Sequence, residues 1–84
     1  MLFFSVLDGT NLTNEDVDET GTSYYGYTAT GGRWAIMRYD AVGGTYDFIL
    51  GYDRDLDLST YDTSWTNRAS SGTSYVRVGT LKKW

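Results

Sequence analysis

The chain has 84 residues, with seven Lys and Arg against eleven Asp and Glu, and it has no cysteine, histidine or proline. A single domain of this size buries only about 60–65% of the surface its unfolded chain exposes, so each large apolar side chain counts. Lack of Cys and His excludes a disulfide framework, a thiolate metal site, the usual general base and the commonest metal ligand. The net charge of −4 opposes a phosphate backbone, so no nucleic-acid partner is expected.

The chain opens on "MLFFSVL", in which six of seven residues are apolar. The segment has no basic leader and meets Asp8-Gly9 too soon for a signal peptide. No apolar run approaches the ~20 residues that span a bilayer. The expectation is therefore a protein made in the cytoplasm, with no signal peptide and no membrane partner. Residues that do not alternate in polarity need cover on both faces. Leu2, Phe3, Phe4, Val6 and Leu7 thus read as a partner-binding arm. "EDVDE", Glu15–Glu19, reads as an acidic, solvated loop. Residues 1–21 form the predicted arm and loop, and 22–84 a small β domain.

Tyr, Trp, Phe, Thr, Val and Ile are plentiful beyond this point and favour strands, while paired glycines mark turns. A three-strand meander is predicted over 22–30, 33–40 and 45–52. With Gly31-Gly32 as a two-residue turn, Thr30 faces Arg33, Tyr27 faces Ile36 and Tyr25 faces Arg38. With Ala41–Gly44 as a four-residue loop, Met37 faces Phe48, Tyr39 faces Tyr46, Arg38 faces Asp47 and Ile36 faces Ile49. Alternation then gives two faces. Met37, Tyr39, Tyr46, Phe48, Leu50 and Tyr52 make the more apolar one, the predicted core. Tyr25, Tyr27, Trp34, Ile36 and Ile49 lie on the other, with Arg38 and Asp47.

After the meander, Ser59 or Thr60 is a possible N-cap and Asp62 lies in the first turn of a short helix over 61–69. A last strand is predicted over Ser74–Thr80. The fold class is mainly all-β: a small antiparallel barrel or open sandwich, with a meander and one helical turn.

Several patterns suggest chemistry. Asp53, Asp55, Asp57 and Ser59 match the first half of a calcium loop. Leu58 stands where the bend needs glycine, and Ser64 where a glutamate should close the site, so an edge strand with its aspartates outward is the better reading. "TGGR" and "VGGT" are followed by strands rather than the helix a phosphate loop requires. No histidine can activate the many hydroxyls, and no enzyme, metal or cofactor is expected. A ligand or partner face is the more serious candidate. Tyr25, Tyr27, Trp34 and Arg38 on one side of one hairpin would suit a sugar ring and its hydroxyls. The opposing reading makes them a second core layer, since each buried aromatic covers about 150–250 Å².

The tyrosine-rich strand Tyr24–Thr28, then Trp34, Ile36 and Arg38, then Trp65, Asn67 and Arg68 together resemble a group of small structural proteins of tailed bacteriophages. The likeness spans residues 24–70. It departs where "SSGTSY" delays Tyr75, which leaves the register of the last strand open. It implies a non-enzymatic virion component, in capsid decoration, neck, tail, baseplate or fibre. Its partners would be other virion proteins and copies of itself. The alternative is a small carbohydrate-binding or host-attachment module, and a third reading is a free inhibitor of a basic host protein.

Overall fold

The computed structural model describes residues 9–53, 59–70 and 75–77. They form β1 (Asn11–Asp16), β2 (Thr22–Thr28), β3 (Arg33–Asp40), β4 (Thr45–Tyr52), α1 (Ser59–Thr66) and β5 (Val76–Arg77). The strands make one antiparallel sheet in the order β1-β2-β3-β4-β5. Among the described residues β1 and β5 do not pair, so the sheet is open. The mainly-β meander expected from the sequence is present, with one short helix laid on one face.

The β3–β4 hairpin has the expected register, with Met37 opposite Phe48, Arg38 opposite Asp47 and Tyr39 opposite Tyr46. Gly44 takes φ 66°, its N–H donates to the Asp40 carbonyl at 2.7 Å, and the Asp40 carboxylate accepts the Val42 N–H at 3.0 Å.

The β2–β3 hairpin differs from the two-residue turn by one residue. Ala29 N–H donates to the Arg33 carbonyl at 2.9 Å, which leaves Thr30, Gly31 and Gly32 in the loop. Gly32 has φ 91°, the positive angle a three-residue hairpin loop asks of its last member. Tyr25 therefore pairs with Met37, Tyr27 with Ala35, and Gly26 with Ile36. A slip of one residue turns a strand over. Tyr25 and Tyr27 consequently leave the Trp34 face and join Met37 and Phe48.

Asn11–Asp16 is a strand rather than part of a free loop, so the sheet begins well before residue 22. Its pairing with β2 shifts at Thr13, between Leu12 and Asn14. This bulge lets Leu12 share a face with Tyr27 while Asn14 and Asp16 turn to the helix side. The following bend is tied by Ser23, whose hydroxyl accepts the Asp18 N–H at 2.8 Å. The expected last strand is described only at Val76–Arg77, paired with Phe48 and Asp47. Leu2, Phe3, Phe4, Val6 and Leu7 lie outside the described residues.

Candidate interaction surfaces

Helix α1 closes one face of the sheet. Trp34, Ile36 and Tyr61 form its buried cluster, with Ile49, Trp65 and Tyr75 packed against it. Two strand glycines make room. A Cβ on Gly26 would overlap the Tyr61 hydroxyl, and one on Gly51 would overlap the Trp34 indole. Glycine inside a strand weakens it unless something must approach closely, and here two aromatic rings do. Trp34 donates its indole N–H to the Thr60 hydroxyl at 3.1 Å and meets Tyr61 edge-on, with 5.8 Å between ring centroids.

The helix is capped from a distance. Asp53, only 4% exposed, accepts the Thr60 N–H at 3.1 Å, the Tyr61 N–H at 3.2 Å and the Thr60 hydroxyl. These are first-turn donors with no partner inside the helix. Asp53 is thus not an outward edge residue, and both of its carboxylate oxygens accept donors of the helix. Asp55 and Asp57 lie outside the described residues.

Beyond Trp65 the helix face becomes a relay of rings and guanidinium groups. Arg68 lies 4.4 Å from the Trp65 ring centroid and 5.8 Å from that of Tyr24, and it bonds Asp16 at 2.9 Å. Arg38 bonds Asp47 at 2.9 Å and lies 4.1 Å from the Tyr75 centroid. Tyr75 donates to the Arg68 carbonyl at 3.0 Å, and Tyr61 donates to the Asn14 side chain at 2.6 Å. The helix is so fastened to β1, β2, β3 and the segment entering β5. Burial pushes the Tyr61 phenol up to about 12, with Asp62 adding and Arg68 opposing. Burial also raises Tyr75 to about 12, with Tyr24 adding and the two arginines opposing.

The opposite face has a buried centre of Ala35, Met37 and Phe48, ringed by half-buried Tyr25, Tyr27, Tyr46 and Leu50. Tyr39 meets Tyr46 at a tilt of 36°, with 4.7 Å between ring centroids. At the rim Tyr52 is 55% and Leu12 52% exposed. Burial raises the Tyr27 phenol, helped by Tyr25 and the Glu15 charge. The register sets Glu15 opposite Tyr25, Ser23 opposite Tyr39 and Arg33 opposite Tyr52, so polar groups border the apolar centre of this face.

The four residues expected to share a ligand face are therefore split. Trp34 and Arg38 lie under or beside the helix, the first buried and the second held between Asp47 and Tyr75. Tyr25 and Tyr27 lie on the far face. A sugar platform containing all four does not exist, because the three-residue turn inverts β2. Gly26 and Gly51 were the available signals that the Trp34 face is filled. Nothing local in the sequence marks Asp53 as the cap or Asn14 as the Tyr61 acceptor. In comparisons with known proteins the chain matches no family model, no curated protein and no solved structure.

Proposed function

We propose that the chain is a non-enzymatic structural component of a tailed-phage particle, acting by protein–protein contacts. The observation that supports this most is the tyrosine face opposite the helix. It joins a packed centre to an exposed rim of Leu12, Tyr52 and Val76. Aromatic residues on a rigid sheet are the side chains that protein interfaces favour, because they offer large area at little cost in entropy. The resemblance of Tyr24–Thr28, Trp34, Ile36, Arg38, Trp65, Asn67 and Arg68 to phage structural proteins supplies the setting.

In this reading Leu2, Phe3, Phe4, Val6 and Leu7 form the docking arm, in which one phenylalanine is worth roughly 1.5–3 kcal/mol when covered. Repetition around a particle would multiply that through avidity. Quantitative mass spectrometry of purified particles should find the chain at a fixed, stoichiometric copy number. A chain lacking residues 1–7 should fold but not incorporate. Absence of the full chain from particles would leave the free-inhibitor reading. The carbohydrate reading lacks the Trp34 on which it was centred.

A further inference from the structure

β1 is held to the fold differently from its neighbours. β2, β3 and β4 each bury side chains, whereas all six residues of β1 are exposed. Its one apolar side chain, Leu12, is 52% exposed. Its ladder to β2 is interrupted by the bulge between Leu12 and Asn14. Side-chain ties hold it instead. Thr13 and Thr28 share a hydroxyl bond of 2.6 Å, Asn14 accepts the Tyr61 phenol at 2.6 Å, and Asp16 accepts Arg68 at 2.9 Å. The two donors from the helix side are themselves fixed. Tyr61 is buried, and Arg68 also donates to the Trp65 carbonyl at 2.8 Å. The bend after β1 is tied on its own, since Ser23 is buried and its hydroxyl bonds both the N–H and the carbonyl of Asp18. β1 can therefore swing about the exposed Val17 while the bend stays closed.

We propose that β1 is a latched edge strand: it opens as a unit while β2, β3 and β4 stay folded, and Tyr61 and Arg68 set how often it does so. Elements with few buried apolar contacts open at the lowest cost in free energy. A short, bulged and charged strand is also what shields a sheet edge from unwanted pairing. Behind β1 lies the Tyr24–Thr28 edge of β2, whose register with β3 is unbroken. Once bared, its backbone groups can take a strand from another chain. β1 is thus a cover whose opening exposes a pairing edge. The device belongs to the free chain and does not depend on the assembly role.

Native-state hydrogen exchange of the isolated full chain, followed amide by amide, tests it. Amides bonded between β1 and β2 should exchange together, at least about tenfold faster than those between β3 and β4. Mild denaturant should hardly change them, because their opening bares little surface, while it speeds β3–β4 exchange. Tyr61→Phe should speed β1–β2 exchange about fivefold, the effect of one lost hydrogen bond. Asp16→Ala should speed it about twofold, the effect of one exposed ion pair. Phe48→Leu gives the contrast. It weakens the closed and the β1-open forms alike, so it should speed β3–β4 exchange and leave β1–β2 exchange unchanged. Should that variant not fold, the denaturant series on the wild type decides the same point. If β1–β2 amides follow Phe48→Leu or denaturant as the β3–β4 amides do, β1 opens only with the whole fold and the proposal fails. Unchanged β1–β2 rates in both Tyr61→Phe and Asp16→Ala, or β1 amides that each open separately, would equally overturn it.

Discussion

The two faces of the sheet are built from similar residues but closed in different ways. On the helix side, glycines at 26 and 51 admit Tyr61 and Trp34 so closely that a single methyl would collide. Polar atoms there are bonded in pairs, through Asp53 with the helix N-terminus, Tyr61 with Asn14, and Arg68 with Asp16. On the tyrosine side, a buried centre is surrounded by rings that keep part of their surface exposed. One face is finished by its own chain to the limit of its volume. The other has a rim that other surfaces can reach. Substitutions should therefore act through stability on the first and at the centre of the second, and through assembly at the rim.

The largest effect is expected at the centre of the tyrosine face. Phe48→Ala should lower stability by about 3–5 kcal/mol, near the whole stability of a domain this small. A loss below about 1 kcal/mol in denaturant titration would show that Phe48 is not core. Next is the helix face, where Gly26→Ala places a methyl on the Tyr61 hydroxyl and beside its ring. Overpacking of this kind costs about 1–3 kcal/mol. The same change combined with Tyr61→Leu, which removes the colliding hydroxyl, should cost less than the sum of the two single changes. Strict additivity would mean that the close approach is not the reason for the glycine.

Asp53→Ala should cost about 1–2 kcal/mol, the usual loss when a helix cap is removed, while Asp53→Asn should keep part of it. Thermal melts with the change in helical signal would separate the two. Alkaline pH gives a further contrast. Tyr61 and Tyr75 ionise at about 12 when folded and near 10 when unfolded. Between these values the unfolded chain releases protons that the folded chain retains. Stability is thus unaffected below about pH 10 and falls as pH rises toward about 12. Tyr61→Phe should flatten that fall; an unchanged slope would place the titration elsewhere. The smallest stability effect is expected at the rim, where Tyr52→Ser should change folding by about 0.5 kcal/mol or less yet reduce incorporation into particles.

Much of the sheet was legible because its signals are local. The glycine pair at 43–44 fixed a four-residue loop, and with it the Arg38–Asp47 and Met37–Phe48 pairs. The pair at 31–32 allowed both a two-residue and a three-residue loop, and the choice depends on where the positive φ falls. That single residue decided the face of Tyr25 and Tyr27, and so the composition of the candidate ligand site. Asn11–Asp16 gave no strand signal, since "NLTNED" has little apolar alternation. It is a strand because β2 offers an edge and because Tyr61 and Arg68 hold Asn14 and Asp16 from across the chain. Asp53 was read as solvated because its helix lies six residues further on, a distance that only folding closes.

The difference between the faces can be measured directly by side-chain footprinting of the chain free in solution and inside purified particles. The account predicts that Tyr52 and Leu12, at the tyrosine rim, lose reactivity on assembly, while exposed helix residues such as Thr63 and Thr66 change little. Equal reactivity of Tyr52 in both states, with protection on the helix instead, would contradict it.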